Sequence, residues 1–117
     1  MSSTDREIGE ELVEWGKVAM LETVGRVTGS HASAAVGFVE DTDGSLLVAA
    51  GSETSDWALN LRADPRVTVT IGDDSGPYRA TEADDAERAT AVTQLILKYG
   101  TPAERLGRGP AFRLRRI

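Results

Sequence analysis

The sequence predicts an α+β fold in which a mainly antiparallel sheet dominates and closes on itself as a barrel. Apolar runs of strand length are joined by hairpin-length links, which favours antiparallel pairing over a doubly wound parallel sheet. One run, Arg66–Ile71, alternates strictly, with Val67, Val69 and Ile71 on one side and Arg66, Thr68 and Thr70 on the other, the period of a half-buried strand. One long stretch carries a helical stripe of Ala89, Val92, Ile96 and Tyr99.

Thr4-Asp5-Arg6-Glu7 has the form of a capping box, and Ile8, Leu12 and Trp15 follow at helical spacing, so an N-terminal helix is expected up to Gly16. Lys17–Val24 reads as a strand and Gly25–Ser30 as a turn-rich loop. Ser33–Glu40 is the next strand, and Asp41-Thr42-Asp43-Gly44 turns it back into Ser45–Ala50, which is apolar on both faces. After the small-residue loop Gly51–Ser55, Ser55 or Asp56 caps a short helix through Trp57, Leu59, Asn60 and Leu61. Pro65 ends it by pushing the preceding residue out of helical geometry. Beyond the strand Arg66–Ile71 and the turn Gly72–Gly76, Pro77–Thr81 is an edge strand opened by its proline. Asp84 or Asp85 caps the longest helix, Gly100 and Pro102 stop it, and Phe112–Ile117 is a last strand. The result is about six strands, an N-terminal helix, a short helix and one longer helix, most economically a barrel.

The 117 residues fit a single domain spanning 1–117. With 40% apolar but only 5% aromatic residues, its core must be built mainly from Val, Leu, Ile and Ala. The absence of cysteine excludes disulfides and thiolate chemistry, and a single histidine, His31, argues against a zinc site. The net charge of −6 disfavours nucleic-acid binding, which depends on neutralising phosphates. The polar, acidic start is unlike a signal peptide, and no apolar run reaches the ~20 residues of a membrane span, so the cytoplasm is the expected location. Arg105, Arg108, Arg113, Arg115 and Arg116 gather near the C-terminus, either as a solvated strand face or as an anion contact.

No nucleophile–base pattern, Walker loop or G-x-G-x-x-G is present. Two loops rich in small and hydroxyl-bearing residues remain: Gly25–Ser33, and Gly51-Ser52-Glu53-Thr54-Ser55 before the short helix. They are either plain connections or backbone and hydroxyl donors converging on an anion beside a helix N-terminus.

At these loops the chain resembles a known family. Gly25-Arg26-Val27-Thr28-Gly29 is similar to the Gly-Arg-x-[Ser/Thr]-Gly element of deazaflavin-dependent nitroreductase-like proteins, and Trp57-Ala58-Leu59-Asn60-Leu61-Arg62-Ala63-Asp64-Pro65 to their Trp-x-x-Asn-Leu-x-Ala-[Asn/Asp]-Pro element. The likeness runs from about Trp15 to Ile117. It implies a split β-barrel, often a homodimer, that binds the 5-deazaflavin F420 and passes hydride to a small acceptor such as a quinone or nitro compound. The cofactor carries the hydride, so the missing acid–base residues are no obstacle.

Carried over by position, the cofactor-binding residues are Arg26, Val27, Thr28, Gly29, Ser30, Ala32 and Ser33, with Gly51 and Ser52 opposite and Trp57 and Asn60 on the flanking helix. Trp57 either walls a ring pocket or packs in the core, and Asn60 either flanks the site or fixes the helix-to-strand corner. Tyr99 is either a proton donor or a core residue. No catalytic residue and no metal ligand is assigned. The sequence departs from the family where a basic residue, then Pro and Arg, are usual: Ser30, His31 and Ala32 stand there, Val27 replaces a frequently basic residue, and Ala35 a proline. The other readings are a relative that binds FMN, another ligand or none, and a dimeric interaction module.

Overall fold

The computed structural model describes residues 16–117. The expected helix over Thr4–Trp15 lies outside them. The elements are β1 (Ala19–Val24), β2 (His31–Val36), β3 (Val39–Glu40), β4 (Leu46–Ala49), α1 (Asp56–Ala63), β5 (Arg66–Ile71), β6 (Asp74–Glu82), α2 (Asp85–Tyr99), a 3-10 helix (Thr101–Arg108) and β7 (Ala111–Arg116). All strand pairs are antiparallel, in one seven-stranded sheet of order β2-β1-β5-β6-β7-β4-β3.

The two edge strands are neighbours in sequence, separated only by Gly37 and Phe38. A flat sheet would hold its outer strands about 29 Å apart at ~4.8 Å per strand, whereas a two-residue link spans at most about 11 Å. The sheet therefore curls until its edges approach, giving a split-barrel-like form. This crossing also corrects the strand count. The single strand expected over Ser33–Glu40 is two strands, one on each edge, which makes seven rather than six. The break is held from outside by α2. A Cβ on Gly37 would meet the Tyr99 ring at 3.0 Å, the Tyr99 hydroxyl accepts from Phe38 N–H at 3.1 Å and donates to the Lys17 carbonyl at 2.6 Å, and Lys98 donates to the Phe38 carbonyl at 2.7 Å.

Alternation sorts the residues into two cores. Leu21, Val48, Val67, Val69, Phe112 and Leu114 point inward, joined by Ala58 and Leu61 of α1. Leu47, Ala49 and Ala111 point outward, beneath Ala91 and Leu95 of α2 and Ala103 of the 3-10 helix. The buried line of α2 is thus Ala91 and Leu95, flanked by Val92, Ile96 and Tyr99, and Ala89 is exposed instead of sharing the expected stripe. The Asp84 carboxylate caps this helix, accepting from Glu87 N–H at 2.8 Å.

A second correction concerns Pro77. It lies inside the nine-residue β6, which is paired on both sides, so it does not open an edge strand. Backbone N and O of one strand residue face the same neighbour, and the Pro77 carbonyl accepts from Ile117 N–H at 3.1 Å. The missing N–H therefore faces β7 opposite Ile117, while the Pro77 carbonyl still bonds there.

Candidate loop–helix site

The site expected from sequence is built on the β1–β2 connection and the start of α1. The loop closes tightly, Gly25 N–H donating to the Ser30 carbonyl at 2.7 Å and Gly29 N–H to the Gly25 carbonyl at 2.8 Å. A Cβ at Gly25 would stand 2.6 Å from the Ser30 carbonyl oxygen, so the turn requires glycine there. Thr28 Oγ1 accepts from Ser30 N–H at 3.2 Å, and Val27 projects outward at 86% exposure.

Arg26 and Asn60, one from each family-like motif, meet. Asn60 is buried, at 3% exposure, on the inner side of α1. Its carboxamide oxygen accepts from Arg26 N–H at 3.2 Å and from Arg26 Nη1 at 2.8 Å. Its amide nitrogen donates to Thr23 Oγ1 at 3.1 Å, and that hydroxyl donates to the Ala32 carbonyl at 3.3 Å. Arg26 continues onto the first turn of α1, reaching the Asp56 carbonyl at 3.3 Å and its carboxylate at 3.2 Å. Burying Asn60 is tolerable because both polar atoms of its amide are hydrogen-bonded, the oxygen twice and the nitrogen once. Asn60 therefore fastens α1 to the loop rather than marking the helix-to-strand corner alone.

Thr23 and Asp56 were not among the expected site residues. The signal for Thr23 was present: it continues the inward positions Ala19 and Leu21, and a hydroxyl in a buried alternation needs a partner. Ser55 stands at the N-cap as expected, but its side chain makes no capping bond, and Asp56 occupies the first turn.

The second loop is held differently. Ser52 and Thr54 hydroxyls share a bond at 3.0 Å, Thr54 N–H donates to Ser52 Oγ at 3.1 Å, and Gly51–Thr54 are exposed. Trp57 is half-buried and tilted against Phe112 at 6.0 Å between ring centres, the packing role. Ala32 and Ser33 are exposed on β2, opposite Thr23 and Glu22. The structure thus brings Arg26, Asn60 and the backbone of Ala32 into one network, while Gly51 and Ser52 lie just before the helix that network holds.

Three basic side chains border the first loop, and each faces a carboxylate. Arg26 pairs with Asp56 at 3.2 Å, His31 Nδ1 lies 3.5 Å from Glu22, and Arg66 is bidentate on Asp64 with a shortest distance of 2.6 Å. The Arg66 guanidinium and backbone N–H hold the Asp64 carboxyl down to about 2. Gly29, His31, Glu22 and Arg66 share a shallow cavity of about 390 Å³. Three of the C-terminal arginines are likewise matched: Arg113 with Asp41 at 2.8 Å, Arg115 with Asp43 at 3.6 Å and Arg116 with Asp74 at 3.1 Å. Hydrogen bonding to Arg113 lowers the Asp41 pKa, and Asp41 raises that of Arg113. Tyr99 spends its hydroxyl on Lys17 and Phe38 and so clamps the backbone. Among the described residues, no group of three or more His, Cys, Asp or Glu is placed to hold a metal ion, and no helix is long and apolar enough to cross a membrane.

Comparison with known proteins agrees with this architecture. A sequence model of the family described as F420H(2)-dependent quinone reductase matches residues 1–107. HutZ, the heme storage protein of Vibrio cholerae, shares the fold with a TM-score of 0.73 and 21% identity, over 97% of this chain and 89% of that one. An F420-H2 dependent reductase, FDR-A, gives 0.70 and 23%, over 85% and 94%. A structure described as a domain-swapped dimer gives 0.70 and 23%, over 97% and 98%. At these identities the structures speak for the fold alone, whereas the family match covers most of the chain. The chain belongs to the F420H(2)-dependent quinone reductase family.

Proposed function

We propose that the protein is an F420-dependent reductase that delivers hydride to a small acceptor of the quinone or nitro type. The observation that carries this reading is the junction of the two family-like motifs through Arg26 and Asn60, beside two loops whose residues 26–33 and 51–54 are exposed. The bound deazaflavin supplies the hydride itself. The chain's own task is to bind and orient. Thr28, Ser30 and Ser33 with Gly51 and Ser52 offer uncharged hydrogen-bonding partners, Trp57 contributes apolar surface, and the Asn60 network fixes the first loop against α1. The donor set fits the uncharged part of such a cofactor. The FMN alternative gains no support from the matched family.

The reading includes a homodimer in the cytoplasm. Helix α2 covers the outer face of β4 and β7, while outward residues of the other half of the sheet, Met20, Val24, Ala35, Thr68 and Thr70, remain partly or fully exposed. A structural neighbour described as a domain-swapped dimer points the same way.

The test is a titration of the protein with F420, and with FMN in parallel, followed by quenching of Trp15 and Trp57. Saturable micromolar binding of the deazaflavin alone is expected. If neither ligand binds up to high micromolar concentration, the second reading stands instead: a relative without the redox function, for which Ala32 in place of the family arginine already speaks.

A further inference from the structure

Resting on the cofactor reading above, we infer that this site selects a deazaflavin through its uncharged ring end and draws no affinity from an anionic tail. The two positions from which relatives would extend a cation, Val27 and Ala32, carry none. The basic groups that do border the loop are already engaged. Arg26 donates to the Asp56 carboxylate, the Asp56 carbonyl and Asn60 Oδ1. Arg66 is bidentate on Asp64, and His31 faces Glu22.

A phosphate or carboxylate arriving here would have to displace a local carboxylate from each cation, exchanging one charge-assisted pair for another with little gain. It would also meet a carboxylate beside each of these three basic groups, so their field offers it little attraction. Nothing comparable opposes an uncharged ring or polyol, because Thr28, Ser30 and Ser52 can donate to it without displacing an ion pair. Among the described residues no buried side-chain polar atom lacks a partner, so no concealed donor is kept for an anion.

The experiment compares F420 with the same deazaflavin ring carrying a neutral polyol chain in place of the phosphate-bearing tail. Affinities for the full chain are measured by fluorescence and calorimetry at low and high salt. The two ligands are expected to bind within about threefold of each other, with no salt dependence. Ala32→Arg is expected to tighten F420 by about tenfold or more, the usual worth of one charge-assisted contact, and to leave the neutral ligand unchanged. Asp56→Asn, at an exposed position, frees Arg26 and should act in the same direction more weakly. F420 binding more than tenfold tighter than the neutral ligand to the native chain, by a margin that shrinks with salt, would overturn the inference. Failure of both ligands to bind would overturn it together with the cofactor reading, and so differs visibly from the first failure.

Discussion

The two loops that flank the start of α1 are made of similar residues and are held in opposite ways. Gly25–Ser30 is tied across the fold: Arg26 and the buried Asn60 join it to the helix, and Thr23 passes that link to the backbone of β2. Gly51–Ser55 is tied mainly to itself, through Ser52 and Thr54 two residues apart. A composition rich in Gly, Ser and Thr therefore does not decide whether a loop is scaffold or free surface. One buried amide partner does. The family-like Arg and Asn are explained first as architecture, and the hydroxyls around them are what remains for a ligand.

The contrast breaks most visibly at Asn60. Asn60→Ala leaves Arg26 N–H, its guanidinium and the Thr23 hydroxyl short of partners, and should cost about 2–3 kcal/mol in urea unfolding. A loss below about 0.5 kcal/mol would show that the first loop is not anchored there.

Acid should loosen the same anchored side, because Asp64 and Glu82 beside α1 are held ionised by arginines. Asp64 lies at about 2, below its ordinary 3.8, and Arg62 lowers Glu82. A depressed folded pKa contributes stability fully above the unfolded value, so the Asp64 share is complete above about pH 4 and vanishes as pH falls toward 2. Asp64→Asn should therefore be less stable than the native chain at pH 7, with the gap closing by about pH 2. A gap that is constant with pH would contradict the Arg66 pairing.

The smallest effect is expected in the second loop. Ser52→Ala should change stability by less than about 0.5 kcal/mol, since its partner is an exposed near neighbour, yet weaken F420 binding severalfold. A stability loss matching that of Asn60→Ala would erase the distinction between the loops.

Much of this was legible in the sequence, for physical reasons that differ by element. Strand β5 was read to the residue because its one buried face imposes a period of two. The Asp41–Gly44 hairpin was legible from turn chemistry, and Gly44 N–H donates to the Asp41 carbonyl at 3.0 Å. The break at Gly37–Phe38 was not, because it is set by the Tyr99 ring 61 residues away from Phe38. Pro77 misled because its missing N–H is harmless only in a register that local sequence does not encode. The site loops were located by motif, but neither composition nor motif revealed that Arg26, His31 and Arg66 each stand opposite a carboxylate. That pairing depends on which loops and strand ends the curled sheet brings together.

The F420 reading requires the ligand to lie on the two loops beside α1. The most direct measurement is an amide chemical-shift titration of the isotopically labelled protein with F420. The largest shifts should fall on residues 25–33 and 51–57, with the strands of the inner core unmoved. Shifts centred instead on the groove of about 510 Å³ lined by Val39, Leu47, Thr90 and Arg113, or no shifts at saturating concentration, would contradict it.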